Sequence, residues 1–502
     1  VDKIKEIIRT LGADDVREFR SFIHRQKKKK SRKDLDLFEF LLKNEADKPA
    51  IITKQIGVPN KEAYYAVRKR LLRHLTDFVV LKRMDDDPTA SSSIMGSISL
   101  VRYLFSKKAD ELAWHYLIKV EALAESHEQF SLLNNIYLLQ IRNIPSKYAP
   151  TLQQIIEKYK TNRTLLDEDE RVQFAHGIIR QKLHERRIES KVINIRRTIH
   201  KTLLEYDLTE VVIKRPRLLY NIASIARSVA ITIGDFRDFE PYIIEQYRSA
   251  KEGYGFPKHH HFYKLSLLYM IAHALYRNRK FAESKEWLSI YHDSILQYNR
   301  SHYNRFYPLY IMLLAAILVF EGELDEAIKM HETLIAETDF KLNIENKLTA
   351  TLSLATYYSF KTDYNKTREI LWGMPTDRTC EKNMGKEWLL KKSMIEMLAQ
   401  YELGNDDIAL NRIRAIERYF DDFIRRPKNI YVKQFISVIK AYMNNPNAIH
   451  ADNFYEMTGG KIDLSAEKHH STIDMSFYCW IKSKVFKQPF YEVLLDQINK
   501  DL

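Results

Sequence analysis

Glycine and proline are scarce in this 502-residue chain, at 13 each, against average usage of about 7% and about 5%. Folds rich in β-hairpins need both residues for their turns, so the shortage points to long helices joined by short connections. Cysteine is scarcer still. Cys380 and Cys479 stand alone, which excludes a disulfide framework and suits a reducing, cytoplasmic setting. Long apolar runs are missing too. The longest, Tyr310–Phe320 (YIMLLAAILVF), is about half of the ~20 residues that a membrane-spanning helix needs, so it reads as a buried core helix with no membrane role. The first residues, VDKIKEIIRT, are charged throughout and do not read as a secretory leader.

Catalytic signatures are also missing. The chain has no phosphate loop of the G-x-x-x-x-G-K type and no G-x-G-x-x-G, G-x-S-x-G or H-E-x-x-H, which leaves no motif for an enzyme or a bound cofactor. His259, His260 and His261 are adjacent, whereas helix-borne metal ligands need a spacing of three or four. No metal site is expected from them. Carboxylate pairs such as Asp167 with Glu170 fall in polar segments, without the desolvation that makes a catalytic acid.

What the chain does have is hydrophobic periodicity, tyrosine and an uneven charge. Residues 1–84 hold 22 Lys and Arg against 12 Asp and Glu, so ten of the fourteen net positive charges sit there. This segment reads as a small helical module. Ile4, Ile7, Ile8 and Leu11 share a helical face that stops at Gly12, and Asp15 with Glu18 resembles a capping arrangement for the next helix. Its strongest helix runs from Lys61 to about Met84, with Tyr64, Val67, Leu71, Leu75 and Phe78 on one side. The polar stretch Asp85–Ser99 reads as a linker. From there to residue 502 apolar-periodic stretches alternate with brief polar breaks, and prolines such as Pro216 and Pro308 fall at helix starts or connections.

Four segments repeat: Ala274–Leu288, Ile317–His331, Tyr357–Leu371 and Ala399–Ile413. Each has a hydrophobic helix end, a short polar turn and a second amphipathic helix. The positions that open the second helix, Phe281, Leu324, Tyr364 and Asp406, lie 43, 40 and 42 residues apart. Ala315, Gly322, Leu324 and Ala327 in the second unit resemble the tetratricopeptide-repeat family. Ala272, Phe281 and Ser284, then Ala355, Tyr364 and Thr367, then Gly404 and Ala409 follow the pattern more loosely, with Asp406 where an apolar residue is expected. The period exceeds the family's usual repeat of about 34 residues. The likeness covers residues 260–430 and extends weakly back to Ser126–Leu133. A basic helical module joined to such an array is also similar to a group of bacterial proteins. The resemblance implies an all-α fold, a solenoid of antiparallel helix pairs whose groove holds a protein or peptide.

Two surfaces are candidates for function. On the Lys61 helix, Lys61, Tyr65, Lys69 and Arg73 recur every four residues, flanked by Arg68 and Arg70. With the segment from Ile52 they resemble a helix-turn-helix reader of DNA or RNA, and Lys27, Lys28, Lys29 and Lys30 would add phosphate contacts. A solvated helix face accounts for the same pattern. Ile178–Lys201 is a second basic stretch, with Arg186, Arg187, Arg196 and Arg197 opposite an apolar side; it reads as a charged helix face or an anion site. In the array, Tyr269, Tyr276, Tyr310, Tyr357 and Tyr358 suggest an aromatic-lined groove, although packing between repeats uses the same residues. The expected function is a non-enzymatic scaffold or adaptor. The alternative is a regulator that binds nucleic acid through its basic module.

Overall fold

The computed structural model describes residues 2–26, 33–43, 53, 55–87, 89–188, 195–209, 215–253, 255–337, 342–425, 430–448 and 472–499. Among them there are α-helices, two short 3-10 turns and no strand. The chain divides into two compact units, Val1–Asp169 and Glu170–Leu502. The division falls at 169/170, not within the polar stretch 85–99. Most of that stretch is helical, because Ile94 and Ile98 supply a buried apolar stripe to the helix Ser91–Ser106.

The first unit opens with α1 (Lys3–Thr10), α2 (Ala13–Gln26), α3 (Lys33–Lys43) and α4 (Lys61–Asp86). Tyr64, Val67, Leu71, Leu75 and Phe78 of α4 are buried together with Ile4, Ile8, Phe19, Ile23, Leu37 and Phe38. Phe19 anchors this core, 4.7 Å from the Phe38 ring and 5.4 Å from that of Phe78. A fully buried side chain of this size contributes roughly 1.5–3 kcal/mol. Asp15 caps α2 by accepting from the Gly12 backbone N–H at 2.7 Å. Glu18 takes no part in that cap and pairs with Lys82 of α4 instead, at 3.0 Å. The unit continues with α5 (Ser91–Ser106), α6 (Asp110–Ser126), α7 (Phe130–Arg142) and the start of α8 (Leu152–Ile188).

The second unit contains α9 (Ile195–Glu205), α10 (Pro216–Ile233) and α11 (Phe239–Gly253), followed by four helix pairs. These are α12 (His261–Arg277) with α13 (Phe281–Ile295), α14 (Tyr303–Glu321) with α15 (Leu324–Ala336), α16 (Ile344–Phe360) with α17 (Tyr364–Trp372), and, after α18 (Asp377–Met384), α19 (Lys386–Glu402) with α20 (Asp406–Tyr419). Helix α21 (Ile430–Asn444) and a last hairpin, α22 (Thr472–Phe486) with α23 (Phe490–Asn499), complete it. Each second helix packs on the first helix of the following pair, and the first helices also touch one another in sequence. Helix α14 is long and apolar enough to cross a membrane by length and composition. Here it packs in the array, with Phe306, Leu313, Ala315, Ile317 and Val319 buried. Pro308 lies inside α14 rather than at its start, where it forgoes one backbone hydrogen bond.

One turn geometry joins the pairs. A residue with left-handed φ sits two positions before the second helix begins: Arg279 at 61°, Gly322 at 94°, Thr362 at 62° and Gly404 at 74°. The next residue's N–H returns to the carbonyl five positions back, at 2.9–3.0 Å, as Lys280 to Leu275 and Asn405 to Gln400 do. This closes the open carbonyls at the end of the first helix. Lys108 before α6 and Glu128 before α7 adopt the same turn in the first unit. Past the turn, the fourth residue of each second helix in the array is small and fully buried: Ser284, Ala327, Thr367 and Ala409. Ala272, Ala315 and Ala355 lie in equivalent positions on the first helices, also fully buried. Ser284 Oγ donates to the Ala272 carbonyl at 2.8 Å and Thr367 Oγ1 to that of Ala355 at 3.3 Å, so the backbones meet closely without leaving a hydroxyl unpaired.

A left-handed residue with a Cβ carries a penalty of about 1 kcal/mol that glycine avoids. Thr362→Gly should therefore raise the unfolding free energy by about 1 kcal/mol, and Gly404→Ala should lower it by a similar amount. Urea denaturation followed by circular dichroism reads both shifts. A stabilising Gly404→Ala would refute the assigned turn.

Candidate functional site

The register of the pairs decides which side chains reach the row of first helices. On that side lies a cavity of about 390 Å3. Helix α12 contributes His273, Tyr276 and Arg277, and α14 contributes Ala316, Val319 and Phe320. Helix α16 adds Thr349, Ser353, Thr356, Tyr357 and Phe360, and α19 adds Lys391. Arg279 and Phe281 enter from the first left-handed turn, and Met475 and Ile498 from the terminal hairpin.

That hairpin covers part of the row. Tyr491 Oη donates to the Val319 carbonyl at 2.5 Å. Phe490 meets the Phe360 ring edge-on at 5.4 Å, and Tyr491 stacks on it at 6.3 Å. Trp480 Nε1 donates to Glu402 Oε1 at 2.6 Å, and Lys484 pairs with the same carboxylate. The aromatic wall continues inward as a cluster of three rings, Phe320 stacking on Tyr276 at 6.0 Å and on Phe281 at 5.4 Å, with Tyr276 and Phe281 tilted 6.0 Å apart.

Of the five tyrosines expected in a groove, Tyr276 and Tyr357 line the cavity. The other three turn toward second helices. Tyr269 packs 6.0 Å from Tyr291 of α13, Tyr310 stacks on His292 of α13 at 4.7 Å, and Tyr358 Oη donates to Glu332 of α15 at 2.6 Å. A first helix touches second helices on its flanks, and these rings fall on those flanks. Sequence reading missed His273, Arg277, Arg279, Lys391 and the two hairpin residues. The period does reveal His273 and Arg277, eight and four positions before Phe281, the opening of α13 in the repeat register; nothing in the sequence brings Met475 or Ile498 there.

Burial governs the titration of the histidines in this unit. His273 is held well below its ordinary pKa by burial and by nearby Arg227 and Arg277. His261 and His331 are 1% and 0% exposed, and burial pushes each down to about 4, with His302 and Lys264 also acting on His261. The three adjacent histidines form a 3-10 turn and the start of α12. No three His, Cys, Asp or Glu side chains converge as a metal would require among the described residues. Cys380 and Cys479 are both buried free thiols.

In the first unit the basic candidates separate into two sets. Arg68 is bound to Asp2 at 2.6 Å and to Tyr64 Oη at 3.0 Å. Arg70 lies 3.5 Å from buried Asp34, which also contacts His74 at 3.4 Å. These side chains fasten α4 to α1 and α3. Lys61, Tyr65, Lys69 and Arg73 are exposed, and the three cations form no ion pair with the described residues. Lys27, Lys28, Lys29 and Lys30 lie outside the described residues. So do the side chains of Arg186, Arg187 and Arg196, while Arg197 is exposed.

The buried histidines give a pH dependence. Their folded-state pKa lies below the unfolded value near 6.5, so the unfolded chain binds more protons between about pH 6.5 and about pH 4. Stability is full above about pH 6.5 and falls as pH drops toward 4. At pH 5 each of His261 and His331 should have lost about 2 kcal/mol relative to pH 7. Urea midpoints across that range test this. In His331→Gln the decline should be shallower by about that amount, and an unchanged decline would remove His331 from the account.

In comparison with known proteins, no family model matches the chain, and neither does any curated protein or solved structure.

Proposed function

We propose that the protein is a non-enzymatic scaffold or adaptor whose tetratricopeptide-like pairs present the first-helix row to a protein partner. The observation that supports this most is the common register. Four turns with a left-handed residue at the same place and the same buried small position set α12, α14, α16 and α19 side by side. A row built that way offers a wall of alternating aromatic and polar side chains, the arrangement by which helical repeats hold extended or helical segments. This inference moves from architecture to function by analogy of fold. Tyr276 and Tyr357 are the side chains assigned to partner contact.

Affinity capture with the whole chain tests it. Replacing both tyrosines (Tyr276→Ala with Tyr357→Ala) should reduce recovery of the retained partner about tenfold, the loss of roughly one buried aromatic contact. Tyr358→Phe, on the flank of α16, should leave recovery unchanged. Equal recovery by a folded double variant would reject the row as the contact surface.

A second reading is favoured by one observation. Among the described residues Lys61, Lys69 and Arg73 form no ion pair and stay exposed on one side of α4, while the neighbouring arginines are fastened inward. A regulator that binds nucleic acid would use that side. Three phosphate contacts correspond to a salt slope of about −2.7 in log K against log salt on duplex DNA. Lys69→Glu with Arg73→Glu should remove most of that slope. Absence of salt-sensitive binding to random-sequence DNA and RNA would eliminate this reading.

A further inference from the structure

The terminal hairpin meets the array in one register. Val319, Phe360 and Glu402 lie four or five positions before Leu324, Tyr364 and Asp406, the openings of α15, α17 and α20. They belong to the C-terminal turns of three consecutive first helices, α14, α16 and α19. Tyr491 Oη reaches the Val319 carbonyl, one of those at a helix end that have no partner within the helix. Phe490 and Tyr491 meet the Phe360 ring, and Trp480 meets that of Tyr401 edge-on at 5.8 Å. The hairpin lies across the row, in the place that the adaptor reading gives to a partner.

Two features distinguish this seat from the packing within the pairs. Its polar fastening converges on a single carboxylate. Glu402 accepts from Trp480 Nε1 and pairs with Lys484, each at 2.6 Å, and the Tyr364 hydroxyl of α17 also bonds to it. Glu402 therefore keeps a partner within the array when the hairpin leaves, so release does not strand a buried charge. The seat is also incompletely filled. The cavity of about 390 Å3 is lined by Met475 and Ile498 of the hairpin and by Thr349, Ser353 and Thr356 of α16. Side chains that face such a space lack the close contacts that a filled core supplies. Apolar burial favours the closed form, with Trp480, Ile481 and Leu494 all at 0% exposure.

We infer that α22 and α23 form a releasable strap, which closes over the ends of α14, α16 and α19 through Glu402 and Val319 and opens as a unit while the helix pairs stay folded. Its consequence rests on the adaptor reading: the closed strap withholds part of the row from a partner. An open fraction of about 1% weakens partner binding about hundredfold.

Native-state hydrogen exchange of the full chain, read by mass spectrometry over a series of low urea concentrations, tests the strap. Amides of α22 and α23 should exchange through one shared opening, with a weaker urea dependence than those of α12 and α13, because freeing a hairpin exposes less surface than unfolding the unit. Lys484→Gln should speed exchange in both hairpin helices about tenfold by removing a charge-assisted bond, and Tyr491→Phe should speed it about fivefold. Neither should change α12 or α13. Both side chains are only partly buried, and circular dichroism checks that the variants keep their helicity. Hairpin amides that exchange only together with α12 and α13, at the same urea dependence, make the hairpin a fixed part of the fold and overturn the proposal. Exchange of α23 without α22 overturns it as well, as do variant effects that are absent or equal across the unit. No partner takes part in the measurement, so its failure leaves the adaptor reading standing, and loss of partner capture leaves the strap standing.

Discussion

The close approach of two helices at a small buried residue is the constraint on which the second unit depends. Ser284, Ala327, Thr367 and Ala409 leave no room for a longer side chain, so their helices can lie against Ala272, Ala315 and Ala355 at short interaxial distance. Everything on the first-helix side follows from this. With the pair spacing held constant, successive first helices align, and residues a fixed number of positions before the turn fall on a common wall. Larger side chains at those points would push the pairs apart by forcing strained rotamers.

The left-handed turn sets the register that the small residues then lock. It uses glycine twice, at Gly322 and Gly404, and non-glycine residues elsewhere. This explains why a chain with only 13 glycines can form so many helix hairpins. It also explains why the period is faint in the sequence. The backbone conformation is conserved among the repeats while the residue type that usually marks it is not.

Legibility varied with the range of the interactions. Phe281, Leu324, Tyr364 and Asp406, which the repeat pattern marks as the start of each second helix, are the first residues of α13, α15, α17 and α20, because a polar turn followed by an amphipathic stripe is a local signal. The core of α4 was legible for the same reason. The stretch 85–99 was not, since its Ser-rich composition hides Ile94 and Ile98 at helical spacing. Tyr276 and Tyr357 were found among five tyrosines that composition could not rank, and the side chain's direction relative to the pair axis separated them. The hairpin's share of the cavity was beyond sequence reading altogether, because a contact between Tyr491 and Val319 spans 172 positions and leaves no periodic trace.

That same contact changes the kind of object the array is. A stack of helix pairs is ordinarily quasi-one-dimensional, able to nucleate anywhere and to lose its ends one repeat at a time. Here the last helix of the described chain is tied back to the middle of the stack through Val319 and Phe360. Such a closure raises the mean sequence separation of contacts, which slows folding relative to an open stack. During synthesis the pairs can assemble as they emerge, but the final closure must wait until the ribosome has delivered residues beyond 490, and the middle of the array stays uncovered until then.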